Sequence, residues 1–185
     1  AEDPDRLRDR NLRAAAWVWV NDENRYADVR EAIPAGPFSV RAVHMASTRH
    51  LGRLRPFEPL RWCEQLEELV LENSKVFDTD LDWLDNCRKL KRLSINSTDT
   101  TGRVLARLTG ATDLRRIDCW GVQVTAEDLK ALAGKPIEEA DFTSWKLTDA
   151  CAETVRSWKR LKSLRVALSS VGDEFLANAA PWPEL

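Results

Sequence analysis

Residues 66–89 read LEELVLENSKVFDTDLDWLDNCRK, residues 90–113 read LKRLSINSTDTTGRVLARLTGATD, and residues 114–136 read LRRIDCWGVQVTAEDLKALAGKP. The register continues as IEEADFTSWKLTDACAETVRSWKR from Ile137 and LKSLRVALSSVGDEFLANAAPWPE from Leu161. Successive starts at 66, 90, 114, 137, 161 and 185 lie 24, 24, 23, 24 and 24 residues apart. Self-similarity at a fixed period of this length marks a stacked repeat architecture.

Each unit carries apolar residues at its first, fourth and sixth positions: Leu66, Leu69, Leu71; Leu90, Leu93, Ile95; Leu114, Ile117, Cys119; Ile137, Ala140, Phe142; Leu161, Leu164, Val166. The fourth and sixth positions alternate with polar neighbours, which predicts a short strand with one face buried. A second apolar set falls three residues apart later in the unit: Leu81 and Leu84, Leu105 and Leu108, Leu129 and Leu132, Ala152 and Val155, Leu176 and Ala179. That spacing is one face of a helix. Thr125 with Asp128 three residues on forms a capping-box-like start, and Thr79, Thr101 and Thr148 precede the other helical stretches. One strand–turn–helix unit cannot bury its own apolar face, whereas stacked units share a continuous core.

LxxLxLxx at a period near 24 resembles leucine-rich repeat proteins. The endings SKVFDTDLDWL, VQVTAEDLKAL and WKLTDACAETV resemble the bacterial repeats common in planctomycete proteins, some attached to serine/threonine kinases. Departures are Thr100 at an apolar position, and Val122 and Trp145 in place of a small polar residue. The expected fold is an α/β, right-handed leucine-rich-repeat solenoid with a short-stranded parallel sheet on the concave face and helices on the convex face.

Val40, Val43 and Met45 fit the strand positions of a longer first unit containing Pro56 and Pro59, so residues 38–185 are read as about six repeats starting near 40, 66, 90, 114, 137 and 161. Residues 1–37 are read as a cap. Within it, residues 5–19 fit either a strand, from WVWV, or an amphipathic helix built on Leu7, Leu12, Ala15, Trp17 and Val18. The helix is favoured, because a solenoid needs its first edge covered. Leu185 stands at the first position of a further unit, so the last edge is expected to be protected by PWPEL itself, by a partner or by further sequence, and an uncapped edge would allow end-to-end homodimerisation.

Lys and Arg number 28 against 30 Asp and Glu, a net charge of −2, which excludes a basic nucleic-acid groove over the whole molecule and an acidic disordered tail. No apolar run reaches the roughly 18 residues of a membrane span, and no signal-peptide pattern is present. The compartment stays open, with the cytoplasm favoured and secretion or the periplasm as the alternatives. Phosphate-cradling, nucleophile-elbow, zincin and kinase signatures are missing, and neither His44 nor His50 has a nucleophile pattern nearby. No catalysis, metal or cofactor is expected. Cys63, Cys87, Cys119 and Cys151 fit small buried hydrophobes, although Cys63 and Cys87, one repeat apart, would also lie within disulfide reach. Trp158 and Trp182, at that same late position, are expected to be core, and Trp83 at most partly exposed.

Side chains at the third, fifth and seventh positions should form three rows across the open face of the sheet. The rows are Ala42, Glu68, Arg92, Arg116, Glu139, Ser163; then His44, Val70, Ser94, Asp118, Asp141, Arg165; then Ala46, Glu72, Asn96, Trp120, Thr143, Ala167. Trp120 amid Arg92, Arg116, Asp118 and Asp141 has the composition of a binding hot spot, with Glu68, Asn96, Glu139 and Arg165 completing the candidate contact surface. A covering ion-pair or stacking partner from the same rows is the competing reading. Arg49, His50, Arg53, Arg55 and Arg61 form a second, basic candidate patch in the first unit. The expected function is a non-catalytic module binding a protein or peptide on the concave sheet. The alternatives are a sensor or regulatory domain of a larger signalling enzyme such as a kinase, or a carbohydrate- or small-ligand-binding protein.

Overall fold

The computed structural model describes residues 16–20, 26–28, 39–47, 58–143 and 146–179. Its strands are β1 (Ala16–Val20), β2 (Tyr26–Asp28), β3 (Val40–Met45), β4 (Glu68–Val70), β5 (Arg92–Ser94), β6 (Arg116–Asp118), β7 (Glu139–Asp141) and β8 (Ser163–Arg165). Among the described residues they form one sheet in the order β2-β1-β3-β4-β5-β6-β7-β8. From β3 to β8 every pairing is parallel, one strand per repeat, with equivalent positions aligned: Glu68 beside Arg92, Arg92 beside Arg116, Arg116 beside Glu139. The repeat period is therefore the step from one strand to its neighbour, a translation of about 4.8 Å.

Residues 16–20 correct the helix favoured for 5–19; residues 1–15 lie outside the described residues. AWVWV pairs antiparallel with β3 on one side and with β2 on the other. Alternating β-branched and aromatic residues suit an extended chain, and the pairing supplies partners to the N–H and C=O groups along the free side of β3.

The apolar positions of the repeats meet in one continuous core running from Val40 to Phe175. Leu69, Leu71, Leu93, Ile95, Ile117, Cys119 and Phe142 are fully buried behind the sheet, facing Leu81, Leu84, Leu105, Leu108, Leu129, Leu132 and Val155 from the helical side. Thr100 takes its apolar place without an unpaired hydroxyl, since its Oγ1 lies 2.7 Å from that of Thr98, which donates to the Ile95 carbonyl at 2.8 Å. Val122 is buried, and Trp145 lies outside the described residues. Trp83 is buried as well, its indole N–H donating to the Asp80 carbonyl at 2.8 Å.

The helical side is tighter than a row of α-helices. Its α-helices are α1 (Ala126–Leu129), α2 (Ala152–Arg156) and α3 (Asp173–Ala179), and the earlier repeats use 3₁₀ turns at Asp78–Asp80, Asp82–Asn86 and Gly102–Leu108. Fitting a return segment into a 24-residue period leaves room for one or two turns, the length range in which 3₁₀ geometry is common. Thr125 and Asp128 form the expected capping box, and Thr101 accepts from the Arg103 N–H. Thr148 makes no side-chain cap, and Thr79 lies inside its 3₁₀ turn, with Phe77 in the cap position. In the last unit Phe175, not Leu176, turns inward: Phe175 is buried and Leu176 is 60% exposed. No helix among the described residues is long and apolar enough to cross a membrane.

The eighth position of the repeats closes each strand with a residue in the left-handed region: Ser47 (φ 57°), Asn73 (48°), Ser97 (53°), Gly121 (76°) and Leu168 (55°). Four of these are small or turn-forming, whereas a leucine there crowds its Cβ against the following carbonyl, costing about 1–2 kcal/mol. Leu168 is also 56% exposed, so its side chain recovers little by burial. Leu168→Asn is expected to stabilise the protein by about 0.5–1 kcal/mol, visible as a higher urea midpoint at unchanged slope. An unchanged or lower midpoint would mean that the Leu168 side chain contributes packing that this geometry does not reveal.

Candidate functional site

The open face of the sheet carries the third-, fifth- and seventh-position side chains, and the three rows do not behave alike. The third row is a chain of ion pairs. Glu68 Oε1 accepts from Arg92 Nη1 at 2.6 Å and lies 3.1 Å from His44 Nε2; Arg116 Nη1 reaches Glu139 Oε2 at 2.7 Å. Between the two arginines, Asp118 accepts from Arg116 Nε at 2.8 Å, with Arg92 Nη2 at 3.7 Å.

Asp118 was expected to be open to solvent but is only 7% exposed, and in the same row Val70 and Ser94 are buried too. The physical reason is the length of the neighbouring side chains, because arginines on paired strands lie across a shorter residue two positions on. Only toward β8 does this row open, where Arg165 is 76% exposed and meets Asp141 at no better than 3.9 Å. Asp141 itself turns back to accept from the Thr143 N–H at 3.0 Å.

In the seventh row Trp120 stands out, with 51% of its surface exposed. Its backbone is held firmly, its N–H donating to Asn96 Oδ1 at 2.7 Å. Asn96 Nδ2 lies 3.4 Å from Glu72 Oε1, which also accepts from Ser94 Oγ at 2.9 Å. Glu72, Asn96 and Trp120 thus hold one another in register across three repeats. Asn96 is among the residues expected on the contact surface, but nothing in its local sequence signals this positioning role, which depends on a residue 24 positions away.

Of the basic patch of the first unit, only Arg61 falls among the described residues. Arg61 is exposed on the 3₁₀ turn Glu58–Trp62, while Arg49, His50, Arg53 and Arg55 lie outside the described residues, as does Trp182. All four cysteines are free and buried, without the disulfide considered for Cys63 and Cys87. Burial pushes the Cys87 thiol up to about 12 and the Cys151 thiol up to about 11, which suits inert core residues rather than nucleophiles. Among the described residues no three His, Cys, Asp or Glu are grouped closely enough to hold a metal ion.

Titration of the charged rows has a defined sign. The hydrogen bond from His44, followed by the charges of His44 and Arg92, holds Glu68 below the usual carboxylate range against the opposing effect of burial. At Glu67 burial pushes upward, but the hydrogen bonds and charges of Lys91 and Arg41 win and lower it. Lys162 does the same for Glu138. Carboxylates lowered by folding contribute stability that is present above their unfolded value and lost as pH falls through the folded one. The urea midpoint is therefore expected to fall as pH drops below about 4.5, with Glu68→Gln making that acid loss shallower. An acid loss that Glu68→Gln leaves unchanged would contradict this assignment.

No family model and no curated protein matches the chain. Among solved structures it is similar to an internalin (inlF) from Listeria monocytogenes, at 14% identity and a TM-score of 0.48, covering 80% of this chain and 56% of that one. It is similar to the tropomodulin C-terminal domain of Caenorhabditis elegans, at 12% identity and a TM-score of 0.48, covering 75% and 79%. It is also similar to internalin C2 from Listeria monocytogenes, at 17% identity and a TM-score of 0.43, covering 66% and 61%. The chain spans little more than half the length of the first internalin. The repeat architecture itself rests on the five parallel strand pairings, which advance by one repeat each.

Proposed function

We propose that this chain is a non-catalytic protein-interaction module of leucine-rich-repeat type, binding a protein or peptide on the open face of its sheet. The observation that carries this reading is Trp120, a large ring half open to solvent on a backbone held by Asn96. A rigid, amphipathic ring gives contact area at little cost in side-chain entropy, and such residues dominate binding energies when a ring of polar groups excludes water around them. Arg92, Arg116, Glu139, Asp141 and Arg165 would form that rim, Asp118 would fix the two arginines from beneath, and Glu68 and Asn96 would position their neighbours.

The test is affinity capture from source-cell lysate with the wild-type chain beside Trp120→Ala. Circular dichroism should first show that both fold alike, since an exposed ring contributes little to the core. A protein retained by the wild type and held at least about tenfold more weakly by the variant is the expected outcome. Equal retention by both would remove the sheet face from consideration.

A further inference from the structure

The segments that lead into the strands differ sharply in charge from one repeat to the next. They read EQLEE at 64–68, RKLKR at 88–92, TDLRR at 112–116, KPIEE at 135–139 and KRLKS at 159–163. Because paired strands place equivalent positions side by side, the cations of β5 and β6 stand back to back. Arg92 is registered with Arg116, and Lys91 is joined to Arg115 and Arg116 through its backbone carbonyl. The carboxylates lie outside this centre: Glu67 and Glu68 on the β4 side, Glu138 and Glu139 on the β7 side. Each cation leans outward to one of them, Lys91 to Glu67 at 2.6 Å and Arg115 to Glu138 at 3.3 Å, as Arg92 and Arg116 do to Glu68 and Glu139.

Like charges directly opposite each other on paired strands destabilise the pair. Beneath Arg92 and Arg116 that repulsion is relieved by Asp118. Lys91 and Arg115, 47% and 50% exposed, make their ion pairs outward, away from each other. Arg88 and Lys89 extend the positive field past the strand ends, both exposed. The result is a cationic saddle two strands wide, about 5 Å between strand axes, walled by carboxylates one strand further on each side. Trp120 belongs to the same repeat as β6.

We propose that this saddle receives a short acidic segment of a protein partner, whose carboxylates sit between Lys91 and Arg115 and over Arg92 and Arg116 while an apolar side chain packs on Trp120. The proposal rests on the sheet-face reading above and names the partner's chemistry. The width of the saddle argues for a peptide rather than a nucleic acid. A phosphate backbone repeats its charge continuously and would run onto Glu67 and Glu68 or onto Glu138 and Glu139 within a nucleotide or two, whereas two neighbouring acidic residues fit between those walls.

The experiment is a random short-peptide display library panned against the full chain, with the enriched peptides then measured against variants. Enriched sequences are expected to hold neighbouring Asp or Glu beside an apolar residue and to bind more weakly as salt is raised. They should bind about tenfold or more weakly to Lys91→Glu/Arg115→Glu. Lys91→Gln/Arg115→Gln, which leaves Glu67 paired with Arg41, serves as the second variant should the reversal fail to fold. Enrichment of neutral or basic sequences, or acidic ones indifferent to both variants, would overturn the proposal. If such sequences still depend on Trp120, the sheet-face reading survives; if no enriched peptide loses affinity on Trp120→Ala, both readings fall. A single-stranded oligonucleotide that binds as tightly as the peptides, with the same sensitivity to charge reversal, would overturn the choice of occupant.

Discussion

Trp158→Ala is expected to destabilise the protein by about 3–5 kcal/mol, a large part of the roughly 5–15 kcal/mol that a domain of ordinary stability possesses. Trp158 is completely buried, its ring stacked on Phe142 with centroids 6.1 Å apart, and its indole N–H donates to the Leu132 carbonyl at 2.9 Å. Removing it opens a cavity and takes from that carbonyl one of its two donors, the Lys135 N–H at 3.2 Å remaining, so the cavity is expected to supply most of the cost. Trp158→Phe separates them, since it keeps most of the volume and loses the hydrogen bond, and it should cost clearly less than the alanine. Denaturant unfolding followed by circular dichroism reads both, and equal losses for Ala and Phe would show that the hydrogen bond, not the volume, holds these repeats together.

Gly102→Ala is the second, with an expected cost of about 2–4 kcal/mol even though the backbone there is ordinary. A Cβ at this position would stand 2.3 Å from Asp128 Oδ2 and 2.9 Å from the Asp128 Cβ. The equivalent position in three other repeats is aspartate, Asp78, Asp149 and Asp173, and in the first two it reaches forward. Asp78 accepts from the Thr101 N–H at 2.7 Å, and Asp149 accepts from the Gly172 N–H at 2.7 Å, each capping the helical segment of the following repeat. Where Gly102 replaces that aspartate, the next repeat supplies its own cap: Asp128 turns into the vacated space and accepts from the Thr125 N–H and hydroxyl at 2.9 and 2.6 Å. Alanine at 102 displaces the carboxylate and breaks the cap. The double variant Gly102→Ala/Asp128→Ala should therefore be more stable than Gly102→Ala alone, losing only the cap, about 1 kcal/mol. Strictly additive losses in that cycle would show that the two residues are not coupled.

Much of this was legible because repeat physics is local and periodic. The apolar positions that define the strands, from Leu66, Leu69 and Leu71 to Ile137, Ala140 and Phe142, are core residues in the structure, Leu164 and Val166 of the last unit are only partly buried, and the expected parallel sheet has one strand per unit. The rows across the sheet follow from the period alone, since residues 24 apart become neighbours. How the members of those rows divide their surface did not follow. Asp118 reads as an outward residue and is closed over by Arg92 and Arg116, because coverage depends on the lengths of side chains from adjacent repeats. Leu176 reads as core by spacing, yet Phe175 occupies the inward place, one residue's rotation being enough to exchange the two on a short helix.

By itself the sequence determined the repeat, the strand positions, the buried face and the isolation of Trp120 on the opposite one, since each depends only on hydrophobic alternation and a constant period. Tertiary structure alone decided that residues 16–20 are a strand paired to β3, that caps pass from one repeat to the next, and that the cations of β5 and β6 meet back to back between walls of carboxylates. These outcomes depend on which side chains the 24-residue step brings within a few ångströms of each other, a distance in space that local sequence does not encode.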